Sequence, residues 1–291
     1  MKINELPTIF IFDFDGTLIG NADPYLELTT FFKFIKDSCK NKDIEGDLCN
    51  IKIPTINKYI SPNLFRPGLK EGFQQIKKYY PTAEFFIFSL GTQQYINTYI
   101  KFLQNHTGIT INKPYFTREN ASLSDSHNYL KLINLYFDTI IHKLTPKYNN
   151  INDNIEFIKN NRTIIIDDNS SVWNNDFRLI NCPKYKYYPF IEIDEKILNL
   201  IYNYPYIQSY LTNSNNTTLP PLSNNNKTFE EYKLAYYLYQ SNLYNKYIND
   251  NNESLKDTFI IRFANIIKKY HKNKKPFTSN SIKSINELLK K

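Results

Sequence analysis

The chain has 291 residues, 41% of them hydrophobic and 16% aromatic, enough for one medium domain with a real core plus a small appendage. Of its formal charge of +8, +7 lies from Lys227 onward, where thirteen Lys and Arg face six Asp and Glu, so the rest is nearly neutral. No run approaches the ~18 to 20 apolar residues of a membrane span, and "MKINELPT" lacks an apolar signal core, which excludes a helical membrane protein.

In chain order, "TIFIF" (8–12) is β-branched or aromatic throughout and reads as a strand buried on both faces, as in parallel sheets. It stops on Asp13 and Asp15, two apart and therefore on one side of an extended chain, with Gly16 allowing a turn and Thr17 offering a hydroxyl. Residues 21–65 read as an insertion that overhangs this strand end, with an amphipathic helix over 25–39 and short strands in "NIKIPTINKYI". Residues 84–88 read as a third buried strand, opening at Ser89, Leu90 and Gly91 into a helix that carries Tyr95, Ile96, Tyr99 and Leu103 on one face. A small hydroxyl and free amides at a helix start suit a phosphate, and the same pattern also serves as an ordinary turn. A second elaboration spans 118–160, with a long helix expected over 126–144. Ile164, Ile165 and Ile166 form another buried strand that ends on Asp167 and Asp168.

Past residue 212 the pattern changes. "NSNNTTLPPLSNNNK" (213–227) has no apolar period and reads as a linker. Beyond it "TFEE" is a capping box that opens helical segments. Their tyrosines read as core, and "KKYHKNKKP" is either a solvated helix face or a meeting point for an acidic or nucleic-acid-associated partner. The expected division is 1–212, a 213–227 linker, and a basic helical extension over 228–291. Cys39, Cys49 and Cys182 show neither a pairing spacing nor a metal motif, which reads as a reducing, intracellular compartment, cytoplasmic or nuclear.

Two buried strands that both end in paired acids would, if adjacent, crowd four carboxylates together. Mutual repulsion favours a resident cation, and hard oxygen donors without a His or Cys cluster favour Mg2+ over zinc.

Asp-Phe-Asp-Gly-Thr, a Ser after the next strand and Asp-Asp after another form an ordered set that resembles the haloacid dehalogenase superfamily of phosphatases. "FRPGLKEGFQQIKKYY", "PYFTRENAS", "TIIIDDNSSVW" and "RLINCPKYKYY" are similar to blocks of its RNA polymerase II C-terminal-domain phosphatase and NLI-interacting-factor-like branch. Gly16 follows the general superfamily spelling where that branch usually carries Glu or His. The likeness runs over about residues 8–210 and implies an α/β fold, a Rossmann-like parallel sheet flanked by helices, here with insertions and a C-terminal helical extension.

The same resemblance implies Asp13 as nucleophile, Asp15 as general acid and base, and Mg2+ held by Asp13, the Asp15 carbonyl and Asp168. Asp167 would orient an active-site lysine. Lys143 in "IIHKLTPKY" best echoes the family pattern, with Lys147 and Lys131 as alternatives. Thr17, Ser89, Leu90 and Arg118 are the expected substrate contacts, although Arg118 could instead make a structural ion pair with Glu119 or another acid. The expected activity is hydrolysis of phosphoserine or phosphothreonine in a flexible protein segment. Nucleic-acid ends, small metabolites and a non-catalytic scaffold are the alternatives.

Overall fold

The structure is a computed structural model that describes residues 5–42, 49, 58–124, 126, 128–213, 219, 228–272 and 275–290. The strands are β1 (Thr8–Phe12), β2 (Ala83–Ile87), β3 (Ser122–Leu123), β4 (Tyr129–Leu130), β5 (Thr163–Asp167) and β6 (Leu179–Asn181). The helices begin with α1 (Asp23–Lys40), α2 (Leu69–Tyr79), α3 (Gln93–Thr107), α4 (Phe137–Leu144) and α5 (Ile155–Asn161). They continue with α6 (Glu195–Asn203), α7 (Pro205–Asn213), α8 (Phe229–Leu255), α9 (Phe259–Lys272) and α10 (Ser279–Lys290). The chain groups into two compact units, one of Met1–Gly20, Phe65–Lys186 and Ser254–Lys291, the other of Asn21–Leu64 and Tyr187–Glu253.

The first unit is built on a four-stranded sheet in the order β2-β1-β5-β6, every pair parallel. The expected α/β architecture is therefore present. All five residues of β1, β2 and β5 are buried, as their unbroken apolar runs require. Alternation along the strands sends successive side chains to opposite faces. Ile9, Ile11, Phe86, Phe88 and Ile165 share a core with Phe137, Ile140, Ile141 and Leu144 of α4 and Ile158 of α5. On the other face Phe12 meets Phe73 of α2 at 5.2 Å between ring centroids, and Phe10 meets Phe263 of α9 at 6.4 Å.

That second face corrects the expected division of the chain. Residues beyond 254 complete the sheet domain instead of hanging from a linker. Ile260, Phe263, Ala264 and Ile267 of α9 are fully buried, and α9 lies so close to α2 that a Cβ on Gly72 would stand 2.9 Å from Ile260 Cγ1. The linker expected at 213–227 falls almost wholly outside the described residues.

The second unit gathers α1, α6, α7 and most of α8. Tyr25, Leu28, Phe31 and Ile35 form the buried stripe of α1, as the helix expected over 25–39 requires. Phe34 stacks on Tyr210 at 3.8 Å, Tyr232 and Tyr236 are buried, and the Tyr236 hydroxyl donates to Ile191 O at 2.9 Å. Of the tyrosines read as core, Tyr232 and Tyr236 are, whereas Tyr237 and Tyr244 are exposed and Tyr239 is half-buried. The "TFEE" capping box is formed: Thr228 N donates to Glu231 Oε2 at 2.9 Å, and Glu231 N donates to Thr228 Oγ1 at 3.2 Å. Cys39 and Cys49 are joined by a disulfide, which corrects the reading of three unpaired cysteines; Cys182 is free and buried. The short strands expected in 50–60 lie mostly outside the described residues. Among the described residues no helix is long and apolar enough to cross a membrane.

Because α9 closes one face of the sheet, Phe263→Ala should destabilise the protein by about 3–5 kcal/mol, the usual cost of emptying a buried Phe site. Urea unfolding of the full chain measures this. A loss below about 1 kcal/mol would mean that α9 is not part of that core.

Candidate functional site

The site forms where β1, β2 and β5 end at one level. Phe12 is in register with Ile87 on one side and Ile166 on the other, and Asp13 N donates to Ile166 O at 2.9 Å. Asp13 and Asp167 therefore end neighbouring parallel strands at their carboxyl edge, where open α/β sheets bind ligands. Adjacent strands, left open by the sequence, put both acid pairs in one place.

Between these two carboxylates lies a lysine, and it is Lys131. Its ammonium, 2% exposed, is 2.5 Å from Asp13 Oδ1 and 2.6 Å from Asp167 Oδ2. It also stands 5.3 Å over the Trp173 ring, while Lys131 N donates to Val172 O at 2.7 Å. Asp167 is held from every side: its Oδ2 also accepts from Trp173 Nε1 at 2.6 Å, and its Oδ1 accepts from Asn169 N at 2.7 Å. These bonds fit Asp167 to orient the lysine.

The choice of Lys143 is corrected. Lys143 is exposed on α4, where Phe137, Ile140, Ile141 and Leu144 form the buried stripe and position 143 lies off it. Lys147 pairs with Glu84 at 3.1 Å, away from the acid pairs. The helix expected over 126–144 begins only at Phe137. Residues 129–130 pair instead with 122–123 as β4 and β3, and this extended approach delivers Lys131 to the site.

Around the Asp-Phe-Asp-Gly-Thr turn, Gly16 adopts a left-handed conformation (φ 77°), and Tyr185 N donates to its carbonyl at 2.7 Å. A Cβ there would come within 2.8 Å of Asp168 Oδ1, so the missing side chain leaves room for that carboxylate. Thr17, buried, donates to Asp168 Oδ1 at 3.2 Å and accepts from Asp168 N at 3.1 Å. Thr17 thus holds both the carboxylate and the main chain of Asp168 at the Gly16 turn. Carboxylate oxygens of Asp13, Asp167 and Asp168 lie within 4.8 Å of one another. This set of hard oxygens around a glycine-made gap fits a small divalent cation.

The electrostatics point the same way. Burial pushes the Asp13 carboxyl well above the usual range; Lys131 pulls it down, and Asp167 and Asp15 push it up again. Asp168 is raised, first by burial and then by Asp167. Burial pulls the Lys131 pKa down, but Asp13 and Asp167 hold it above the ordinary lysine value. One ammonium offsets part of the cluster's charge, and a divalent cation would offset more.

Asp15 is exposed and is not one of the three acids whose oxygens lie within 4.8 Å of one another. The Tyr95 hydroxyl donates to its Oδ1, and Ser89 Oγ donates to its Oδ2 at 3.4 Å. Ser89, fully buried, also accepts from Gly91 N at 2.9 Å. Leu90, half-buried, accepts from Arg118 Nε at 2.7 Å, and Arg118 N donates to Gly91 O at 3.0 Å. The exposed Arg118 therefore lies along the Ser89–Gly91 turn, its guanidinium 5.7 Å from the Tyr129 ring, without the ion pair to Glu119 that was the alternative among the described residues.

Three contributors carried no role in the sequence reading. Tyr95 read only as part of an apolar helix face. Trp173 was one letter of a resembling block. Arg66 of "FRPG" is 1% exposed and donates from Nη2 to Gly16 O at 3.3 Å and to Pro183 O; its Nη2 also stands 3.6 Å from Asp257 Oδ2. Asp257 accepts from Phe259 N at 2.8 Å at the start of α9, so Arg66 ties that helix to the Gly16 turn.

Lys131→Met leaves two buried carboxylates unpaired and should cost about 3–5 kcal/mol of stability in metal-free buffer. Burial already raises the Asp13 carboxyl above its unfolded value and Lys131 opposes this, so without the ammonium the variant's stability should fall as pH rises through the raised Asp13 value. Lys143→Ala should change stability by less than about 0.5 kcal/mol, since its side chain is exposed. Denaturant unfolding at several pH values checks both; equal losses would contradict the assignment of Lys131.

The chain can now be set beside known proteins. The family described as NLI interacting factor-like phosphatase matches residues 8–217. No curated protein matches. One similar solved structure is fission yeast RNA polymerase II CTD phosphatase Fcp1, as an Arg-to-Ala variant bound to beryllium fluoride: 17% identity and a TM-score of 0.40, covering 93% of this chain and 63% of that one. Another is Fcp1, described as an essential RNA polymerase II CTD phosphatase: 18% identity and a TM-score of 0.40, with the same coverage of 93% and 63%. The chain thus spans less than two thirds of the length of either, and so loose a likeness carries no weight for the fold or the site. The family match runs through well over half of the 291 residues, and on that ground the chain belongs to the NLI interacting factor-like phosphatase family.

Proposed function

We propose that the chain is a Mg2+-dependent phosphomonoester hydrolase that works through an aspartyl-phosphate on Asp13 and acts on phosphoserine or phosphothreonine in a flexible protein segment. The observation that carries this reading is the bridge of Lys131 between Asp13 and Asp167, with Asp168 alongside, at the carboxyl edge of the sheet.

In the first step an Asp13 carboxylate oxygen bonds to phosphorus while the bond from phosphorus to the ester oxygen breaks, and Asp15 gives its proton to the departing oxygen. In the second step water attacks the same phosphorus, Asp15 takes the water's proton, and the acyl-phosphate bond breaks to release inorganic phosphate and restore Asp13. Lys131 favours the ionised form of Asp13 and orients it, and its ammonium also suits charge that develops on the phosphoryl oxygens. Tyr95 and Ser89 hold the Asp15 carboxylate, so its proton is donated from a fixed position. Mg2+ bound by Asp13, Asp168 and the Asp15 carbonyl would screen the phosphoryl charge. Arg118 is suited to grip the phosphate or an acidic flank of the substrate, because its planar fork can bond two oxygens at once.

A phosphoprotein substrate fits the family, and both Fcp1 structures are of a phosphatase of the RNA polymerase II CTD. Other partners, including one for the basic C-terminal segment, rest on charge alone.

With a phosphopeptide substrate, Asp13→Asn should abolish turnover while the melting temperature changes little, and chelation should stop the wild type until Mg2+ is restored. Arg118→Ala should raise KM for the phosphopeptide more than for para-nitrophenyl phosphate. A panel that adds 3′- and 5′-phosphorylated oligonucleotides and sugar phosphates ranks the substrate classes. Faster turnover of an oligonucleotide end would overturn the protein-substrate reading, and chelator-insensitive activity would overturn the metal.

A further inference from the structure

At the other pole of the same sheet, where the parallel strands begin, there is a second cavity of about 440 Å3. It lies between the end of α2, the turn from α5 into β5, and the segment that joins α9 to α10. Strands of five residues separate it from the acid cluster by about 17 Å at ~3.3 Å per residue. The two are distinct sites within one unit.

Its lining has cationic and imidazole side chains and no carboxylate: Lys78, Arg162, His271 and Lys275. Among the described residues none of these four forms an ion pair with Asp or Glu, whereas Lys131, Lys147 and Arg178 all do. Arg162 is held in place by three bonds, from Nε to Pro7 O at 3.0 Å and from Nη2 to Leu6 O at 2.9 Å and Thr8 Oγ1 at 2.6 Å. Its Nη1 makes no such bond, which leaves a fixed donor beside the cavity. The basic stretch "KKYHKNKKP" supplies His271 and Lys275, so part of the charge that set the C-terminal segment apart is gathered at this wall.

The remainder of the lining suits a flat ring. Phe157 is half-buried and His271 exposed, and the Tyr80 ring lies 5.0 Å from that of His271, edge to face, and 5.7 Å from that of Phe277. Asn161 gives its main-chain carbonyl to Phe277 N at 2.8 Å, while its side-chain amide has no hydrogen-bond partner among the described residues. An amide of this kind can donate to and accept from the edge of a base. The size is within the usual range of small-ligand pockets and too confined for a folded partner.

From these observations we infer that this cavity binds a nucleoside monophosphate, with the phosphate met by Lys78, Arg162 and Lys275 and the base set against Phe157 and His271 beside Asn161. The site is independent of the proposed hydrolysis. It uses none of the acid cluster, and a failure of one reading leaves the other standing.

The test is calorimetric titration of the full chain with AMP, adenosine and inorganic phosphate in chelator, so that no turnover occurs. AMP should bind one to one and at least about tenfold more tightly than either half alone. The double variant Lys78→Glu and Lys275→Glu, changed only at exposed side chains, should weaken AMP by at least about tenfold and leave hydrolysis of para-nitrophenyl phosphate unchanged. Phe157→Ala should weaken AMP and not phosphate. No heat from AMP at millimolar concentration, equal binding of phosphate and AMP, or no effect of the charge reversal would each overturn the inference.

Discussion

The ammonium of Lys131 lies between two carboxylates that end adjacent parallel strands, Asp13 at 2.5 Å and Asp167 at 2.6 Å, with almost no access to water. A lone buried charge is prohibitively costly, whereas three charges that bond one another can be kept. Much of the local structure serves this group. The Trp173 indole and the Asn169 amide fix Asp167, the Val172 carbonyl pins the backbone of Lys131, and the β3–β4 pair leads the chain to that point. The net of bonds also explains why the acid cluster is tolerable at all: one of its charges is already neutralised before any cation binds.

Around this centre the sheet acts as a ruler. Parallel register brings the ends of β1, β2 and β5 to one level, so Asp13, Ser89 and Asp167 meet although they are far apart in sequence. The covering layers reach the same turn. Arg66 bonds the Gly16 carbonyl and stands beside Asp257, which opens α9, and α9 in turn buries Phe263 against Phe10. Helix α9 is thus coupled to the Gly16 turn through one buried guanidinium. That coupling explains why the positive charge of this segment does not make it a detachable arm.

Much of this was legible in the sequence. Unbroken β-branched and aromatic runs that stop on acids can hardly be anything but buried strands with a functional edge, and the order of the motifs pointed to the family. The lysine was misread because a pattern of letters outweighed periodicity. Phe137, Ile140, Ile141 and Leu144 already mark a stripe on which position 143 has no place, so its exposure could have been foreseen. Lys131 was harder to find, since it sits in an irregular approach whose two-residue strands carry no periodic signal. Tyr95 was hidden for the opposite reason: it obeys the helical stripe, and only the third dimension turns its hydroxyl to Asp15. The C-terminal boundary was misplaced because a polar, proline-containing stretch looks like a linker whether or not the chain returns to the core beyond it.

The central claim is that Asp13 carries the phosphoryl group. Rapid acid quench during turnover of a phosphopeptide with Mg2+, followed by borohydride reduction and peptide mass spectrometry, reads this directly. An acyl-phosphate at residue 13 is reduced to homoserine, and that conversion is expected at Asp13 alone and absent without substrate. Turnover with no reducible intermediate, or conversion at Asp15, Asp167 or Asp168 in place of Asp13, would contradict it.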